Sequence, residues 1–304
     1  TPKCPPRRSI EAILNLVAGR AGDELLVRTV SESGSIPDLC ASLKKQAEES
    51  FQKRIAAAKL ITWLLDALHL IPDGRTGRNR AAVESYLFEI LRGFPPVHHP
   101  SNSEWVLIDA ASREHLRRPA AGERALLLDV RDFPAEGENS ASALIVAAYR
   151  KGWKDVLSFD WRGQRFCGCG LGPCSEGFRM DVFGNAGDYL ASGLDGAEIY
   201  LHASAQDQVA QIMKSGRLVI YGDVGQTFMY AAKGGEVFVL GNAAGRPLIN
   251  AAGKPRVIIN GSCLDYLAES FMAGDPLKGG GFVVLNGIGF DHEGRLQELS
   301  LIHI

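Results

Sequence analysis

Six short segments close on a small residue at nearly equal intervals. Met180–Gly184, Ile199–Ala203, Leu218–Gly222, Val237–Gly241, Val257–Gly261 and Val283–Gly287 end 19, 19, 19, 20 and 26 residues apart. A period of this length belongs to a solenoid, a propeller or another stacked array. The side-chain alternation chooses among these. Four residues before each closing residue stand Met180, Ile199, Leu218, Val237, Val257 and Val283, and two before it stand Val182, Leu201, Ile220, Val239, Ile259 and Leu285. All twelve are aliphatic or thioether side chains. The positions between them carry Asp181, Tyr200, His202, Tyr221, Asn260 and Asn286 among others, so one strand face is dry and the other mixed. A propeller blade needs about 40–50 residues and a leucine-rich repeat has its own ladder. One five-residue strand and two shorter segments turning at glycines fit the observed period, which predicts one coil of a parallel β-helix. Phe159 and Trp161 before Gly163 extend the pattern upstream to about seven rungs.

Glycine supplies the turns. Of the 34 glycines, 24 lie between positions 161 and 289, a density incompatible with helix because glycine costs about 1 kcal/mol per helical position relative to alanine. Gly163, Gly184, Gly222, Gly241, Gly261 and Gly287 close the rungs. Gly196, Gly234 and Gly253 recur at a fixed distance beyond, where a corner with positive φ is expected. The 26-residue interval is expected to carry a helix-like bulge at Leu264–Met272.

The first hundred residues read differently. Helical spacing predicts helices over 9–19, behind Ser9, over 42–70, ended by Pro72, and over 79–91, stopped by Gly93. Residues 1–92 thus form a small all-α module and 93–103 a linker. A strand at 105–108, a short helix near 112–117, a strand at 125–130 and a helix at 140–151 then make an α/β entry into a β-helix domain spanning 104–298. The fold class is mainly β, with the helical module in front. The chain begins at Thr1 without methionine and Leu299–Ile304 reads as a non-native tail, so both ends are expected to be cut.

The stretches Gly184-Asn185-Ala186-Gly187-Asp188-Tyr189, Gly193-Leu194-Asp195-Gly196, Gly222-Asp223-Val224-Gly225, Gly234-Gly235-Glu236, Gly241-Asn242-Ala243-Ala244-Gly245-Arg246 and Asn250-Ala251-Ala252-Gly253 resemble the glycine-rich GXGXG C-terminal domain of the glutamate synthase large subunit. Formylmethanofuran dehydrogenase shares that domain in one of its subunits. The likeness runs from about Asp129 to about Gly287. It implies a right-handed β-helix with a structural role, packed between a glutamine amidotransferase domain and a flavin-bearing synthase domain. FMN and iron–sulfur centres would sit on those partner domains and none on this chain. Residues 1–92 match no part of the glutamate synthase large subunit.

The residues admit other readings. Cys167, Cys169 and Cys174 place three thiols within eight positions and could ligate zinc or an iron–sulfur cluster, with Cys4 as a distant fourth candidate. The spacing matches no usual ligand pattern, and core or corner cysteines are the alternative. Gly168-Cys169-Gly170-Leu171-Gly172-Pro173 fails as a dinucleotide loop because Pro173 replaces the last glycine. Gly74-Arg75-Thr76-Gly77-Arg78 reads as a helix entrance rather than a phosphate loop. His98, His99 and His202 stand apart from carboxylate or thiol clusters in the sequence. Leu60, Ile61, Trp63, Leu64 and Leu65 read as module core or as a docking surface. No nucleophile elbow, zinc-peptidase or kinase motif occurs, so no catalytic residue is assigned. With 33 basic against 35 acidic side chains and a net charge of −2, no global field draws nucleic acid or an anionic membrane. No apolar run is long enough to span a bilayer, and a cytoplasmic location with reduced thiols is expected. The expected function is therefore a non-catalytic structural or interaction subunit of a glutamate-synthase-like oxidoreductase. The alternatives are a metal or electron-transfer protein using the three thiols, and a scaffold beside a molybdenum or tungsten enzyme, as in formylmethanofuran dehydrogenase.

Overall fold

The computed structural model describes residues 35–68, 76–287, 289–290 and 296–297. The chain divides into two compact units between Pro95 and Pro96. In the first unit, helices α1 (Ile36–Ala47), α2 (Phe51–Leu68) and α3 (Thr76–Arg92) bury Leu39, Leu43, Ile61, Leu64, Leu65, Leu87 and Leu91 completely. The single helix expected over 42–70 is two. Ser35 caps α1 by accepting from the Asp38 amide, and Ser50 Oγ accepts from the Lys53 amide at 3.2 Å to open α2, so a second N-cap divides one apolar pattern. Leu60, Ile61, Leu64 and Leu65 are core, and Trp63 is half-buried. The helix expected at 9–19, its neighbour Cys4, the Pro72 stop, Gly74-Arg75 and the 299–304 tail lie outside the described residues.

The second unit is one continuous ladder. Strands β1 (Trp105–Ile108), β2 (Ala125–Asp129), β3 (Asp155–Arg162), β4 (Arg179–Asn185), β5 (Asp195–Leu201), β6 (Ser215–Ile220), β7 (Glu236–Val239), β8 (Arg256–Ile259) and β9 (Phe282–Leu285) pair in sequence order, every pair parallel. The register follows the repeat: Met180 faces Ile199, then Leu218, Val237, Val257 and Val283. Ten of the twelve core positions named above are at most 1% exposed. Val283 and Leu285, on the last rung, are partly buried because no described coil lies above them. Burying a single such side chain contributes about 1.5–3 kcal/mol, so the core columns dominate the stability of the stack. The molecule is a parallel β-solenoid with a small helical module.

The sheet starts earlier than the repeat does. Strands β1 and β2 belong to the same ladder, and the Val97 amide already donates to Leu107 O at 2.7 Å. Helix α4 (Ala141–Arg150), capped by Ser140 accepting from the Ala143 amide, packs on this entry, with Tyr149 edge-on to Phe178. Where a short helix was expected near 112–117 there is a 3-10 turn at Arg113–His115. A short antiparallel pair, β10 (Gly289–Phe290) with β11 (Leu296–Gln297), follows the last rung.

The coils are stacked at their corners as well. Ala186, Ala205, Val224, Ala243 and Cys263 form a second column of parallel bridges and are all buried. Beyond it runs a wall in which every second residue is left-handed: Tyr189, Ala191; Gln208, Ala210, Ile212; Thr227, Met229, Ala231; Arg246, Leu248, Asn250; Tyr266, Ala268, Ser270. A left-handed non-glycine residue costs about 1–2 kcal/mol. Here the amides alternate between the coil above and the coil below: Gln208 N–H to Gln226 O at 2.8 Å, Ala210 N–H to Leu190 O at 2.7 Å, Ile212 N–H to Tyr230 O at 2.8 Å. In the coils from Tyr189 to Asn250 the geometry that strains each of these residues also places its amide on a carbonyl of an adjacent coil.

This wall corrects two expectations. Leu264–Met272 is no bulge: Tyr266, Ala268 and Ser270 keep the wall conformation and Met272 bridges Ala252, so the coil stays in register. The extra residues of the long interval come after it and include the 3-10 turn Pro276–Lys278. Gly196 and Gly253 have positive φ, as expected, but Gly234 does not; its neighbour Gly235 takes φ 93°. Gly234 is glycine because a Cβ there would strike the Lys214 carbonyl of the coil below.

Candidate interaction face

The outward positions of the long sheet form three columns, each set by the strand register. The first reads Asp155, Arg179, Glu198, Arg217, Glu236, Arg256 and Phe282, an alternation of charge over six successive strands. Glu236 stands between two arginines, 2.9 Å from Arg217 and 3.7 Å from Arg256. The Arg179 guanidinium lies 4.2 Å over the Tyr200 ring, whose hydroxyl donates to Glu198 at 2.9 Å. Opposite charges on adjacent strands favour this register, and a slip by one coil would oppose like charges.

The second column is mixed over its first three strands and apolar from the fourth on: Leu157, Asp181, Tyr200, Val219, Phe238, Ile258 and Val284. Val219, Phe238, Ile258 and Val284 are half-buried. In the third column Phe183, His202 and Tyr221 stack, with ring centroids 4.3 and 5.0 Å apart and planes within 13°. His202 is 3% exposed and its Nε2 sits 2.9 Å from Asp181 Oδ1. Burial alone would raise the Asp181 carboxyl, but His202 and Arg179 together hold it below its ordinary value. With both ring faces covered and one nitrogen on a carboxylate, His202 is a stacking element of the sheet.

The corner beside these columns carries a ladder that sequence reasoning missed. Asn185 Oδ1 accepts from the Ser204 amide at 3.2 Å, Ser204 Oγ from the Asp223 amide at 3.0 Å, Asp223 Oδ1 from the Asn242 amide at 2.7 Å and Asn242 Oδ1 from the Ser262 amide at 2.8 Å. Each polar side chain satisfies a backbone donor of the next coil. A second, shorter ladder runs from Asp188 through Asp207 to the Gln226 amide. The signal was present in the residue that follows the closing position of each of these coils, which is Asn, Ser or Asp.

The rung-closing glycines serve this stacking. The Gly222 amide donates to Ala203 O at 2.9 Å, Gly241 to Gly222 O at 3.1 Å and Gly261 to Gly241 O at 2.9 Å. A Cβ on any of these three, or on Gly287, would collide with the carbonyl beneath it. Gly184 approaches the backbone of Trp161 in the same way, while a Cβ on Gly163 would make only an ordinary 3.7 Å contact with Gln206 Nε2 but φ there is 95°.

The three candidate thiols are not drawn together. Cys167 is 1% exposed and stands inside the first coil, at the level of Leu190 and Val209 in the coils above. The Cys169 thiol donates to Tyr189 O at 2.8 Å, and Cys174 is exposed. Burial pushes the Cys167 thiol well above its ordinary range and the Cys169 thiol up to about 12. Among the described residues, no group of three or more His, Cys, Asp or Glu is arranged to hold a metal ion. The Gly168–Gly172 run is the left-handed wall of the first coil, with φ of 73°, 79° and 87° at its glycines.

Fold and corner chemistry together define a parallel β-solenoid whose turns are set by glycines and by side chains that accept backbone amides of the next coil. The chain matches the GXGXG motif family over residues 140–293, just over half of its 304 residues, and belongs to that family. No curated protein and no solved structure matches it. No helix among the described residues is long and apolar enough to cross a membrane.

Proposed function

We propose that this chain is a structural and interaction element of a glutamate-synthase-like oxidoreductase, holding an amidotransferase domain and a flavin-bearing synthase domain in place without itself catalysing a reaction. FMN and iron–sulfur centres belong to those partners in this reading, and the assembly is cytoplasmic. The observation that carries it is the GXGXG match over a solenoid whose polar corner side chains are engaged with the next coil. The outer face supports the same role: alternating charges beside a half-buried apolar column suit recognition of a partner surface.

The test has two parts. The purified chain is assayed for glutaminase and glutamate synthase activity, and then added to a glutamate synthase large subunit from which the GXGXG domain has been deleted. The reading predicts no turnover alone and recovery of coupled glutamine-dependent activity on addition. Turnover by the isolated chain, or stoichiometric iron or zinc in the purified protein, would contradict it.

A further inference from the structure

Two Asn–Gly pairs occupy equivalent places on successive rungs, Asn260–Gly261 after β8 and Asn286–Gly287 after β9. Asn–Gly is the dipeptide most open to deamidation, because glycine offers no side chain to hinder its own nitrogen from reaching the asparagine carbonyl carbon. The reaction needs that backbone nitrogen to be free. The two pairs differ on this point. The Gly261 amide donates to Gly241 O at 2.9 Å, whereas the Gly287 amide donates to no described residue. Both asparagines are exposed, so water reaches either side chain.

We propose that Asn286–Gly287 is a deamidation site at the end of the described solenoid and that its stacked twin, Asn260–Gly261, is protected. The Gly287 nitrogen attacks Asn286 Cγ, the N–Cγ bond forms, the Cγ–Nδ2 bond breaks, and ammonia leaves with the proton from the Gly287 amide. Water then opens the succinimide at either carbonyl, giving aspartate or isoaspartate. The product changes the contact beneath it. Asn286 Nδ2 donates to Asn260 Oδ1 at 2.6 Å, and a carboxylate in its place removes that donor, so the contact must re-form with the Asn260 amide turned to present its own Nδ2. An isoaspartate adds a backbone methylene and moves Gly287 out of the closing column. Deamidation therefore forces the contact between β9 and β8 to rearrange at the last described rung.

The test is incubation of the native chain in mildly alkaline buffer, with peptide mass spectrometry at both sites and a parallel sample in denaturant. The folded protein should gain about one dalton at Asn286, partly as isoaspartate, about tenfold or more faster than at Asn260. In denaturant the two sites should react at similar rates, and Asn286→Gln should abolish the change at that position. Equal rates in the folded protein, an unmodified Asn286, or the same rate ratio with and without denaturant would each overturn the proposal.

Discussion

Replacing Gly241 by alanine tests whether the closing glycines are required by close approach or by backbone conformation. Gly241 has no positive φ, so alanine fits its backbone. Its Cβ, however, would lie 2.5 Å from Gly222 O and 2.7 Å from Gly222 C, and would also strike Asp223 Oδ1. Relief requires the two coils to separate there. That breaks the Gly241 amide bond to Gly222 O and weakens the Asn242 amide bond to Asp223 Oδ1. Losing an intercoil bond and leaving its donor unsatisfied costs about 1–3 kcal/mol. Overpacking adds about 1–3 kcal/mol, while the smaller unfolded-state entropy of alanine returns about 0.4–1 kcal/mol. The net expectation is a loss of about 1–5 kcal/mol, centred near 3, and the central value is equivalent to a fall in Tm of about 6–12 °C for a unit of this size. Thermal and urea unfolding followed by far-UV circular dichroism provide the measurement. Gly193→Asn is the control, since φ is +72° and nothing lies within 4 Å, and it should cost less than about 1 kcal/mol. A Gly241→Ala protein as stable as wild type, or a control that falls as far, refutes the close-approach argument.

Ile212 is a β-branched residue held at φ 51° with its side chain 47% exposed; Ile212→Asn should leave the Tyr230 bond intact and raise stability by about 0.5–1 kcal/mol in urea melts. Glu236→Arg puts three arginines in line with Arg217 and Arg256; the single reversal should cost about 0.5–1 kcal/mol, the added Arg217→Glu should recover part of it, and high salt should erase the difference. Arg54 donates to Ala47 O and Gly93 O and lies 5.8 and 5.5 Å from the Phe51 and Phe94 rings; Arg54→Lys should lower the Tm of the helical module nearly as much as Arg54→Ala, because lysine cannot reproduce the planar fork. The thiols should separate by burial and by pH. Cys174 should alkylate readily in the native protein, while Cys167, Cys169 and Cys263 should resist until unfolding. Because burial raises Cys169 to about 12 and Cys263 to about 11 from an ordinary 9.0, their protonated forms stabilise the fold below pH 9.0, and that contribution should fade as pH rises toward 11 to 12 in alkaline unfolding curves.

The sheet core was legible because each rung repeats one demand. Positions such as Leu218 and Val237 face the same interior, so the same residue class recurs at a fixed offset. The outer face follows a rule that spans two rungs instead of one. Arg179, Glu198, Arg217, Glu236 and Arg256 alternate in sign, and a search for identical residues at equal spacing passes over them. The left-handed wall was hidden for another reason. Its residues include Ile212, Thr227 and Leu248, which carry no preference for positive φ; the intercoil amide bonds impose it, and those exist only once the coils are stacked. The same dependence explains the cysteines. Cys167-Gly168-Cys169 resembles a ligand motif in one dimension, but stacking places Cys167 at the level of Leu190 and makes Cys169 a donor to Tyr189. The break between α1 and α2 was written in Ser50 and went unread because the apolar spacing continues across it.

Parallel in-register stacking is what the other conclusions rest on, and paired cysteines on the outer face measure it. Val219 and Phe238 are direct neighbours on β6 and β7, whereas Val219 and Ile258 are two strands, about 10 Å, apart. In a background where exposed Cys174 is replaced by serine, Val219→Cys with Phe238→Cys should close a disulfide under mild oxidation, seen by intact mass and by non-reducing electrophoresis. Val219→Cys with Ile258→Cys should remain reduced. Closure of the second pair in preference to the first would contradict the solenoid register.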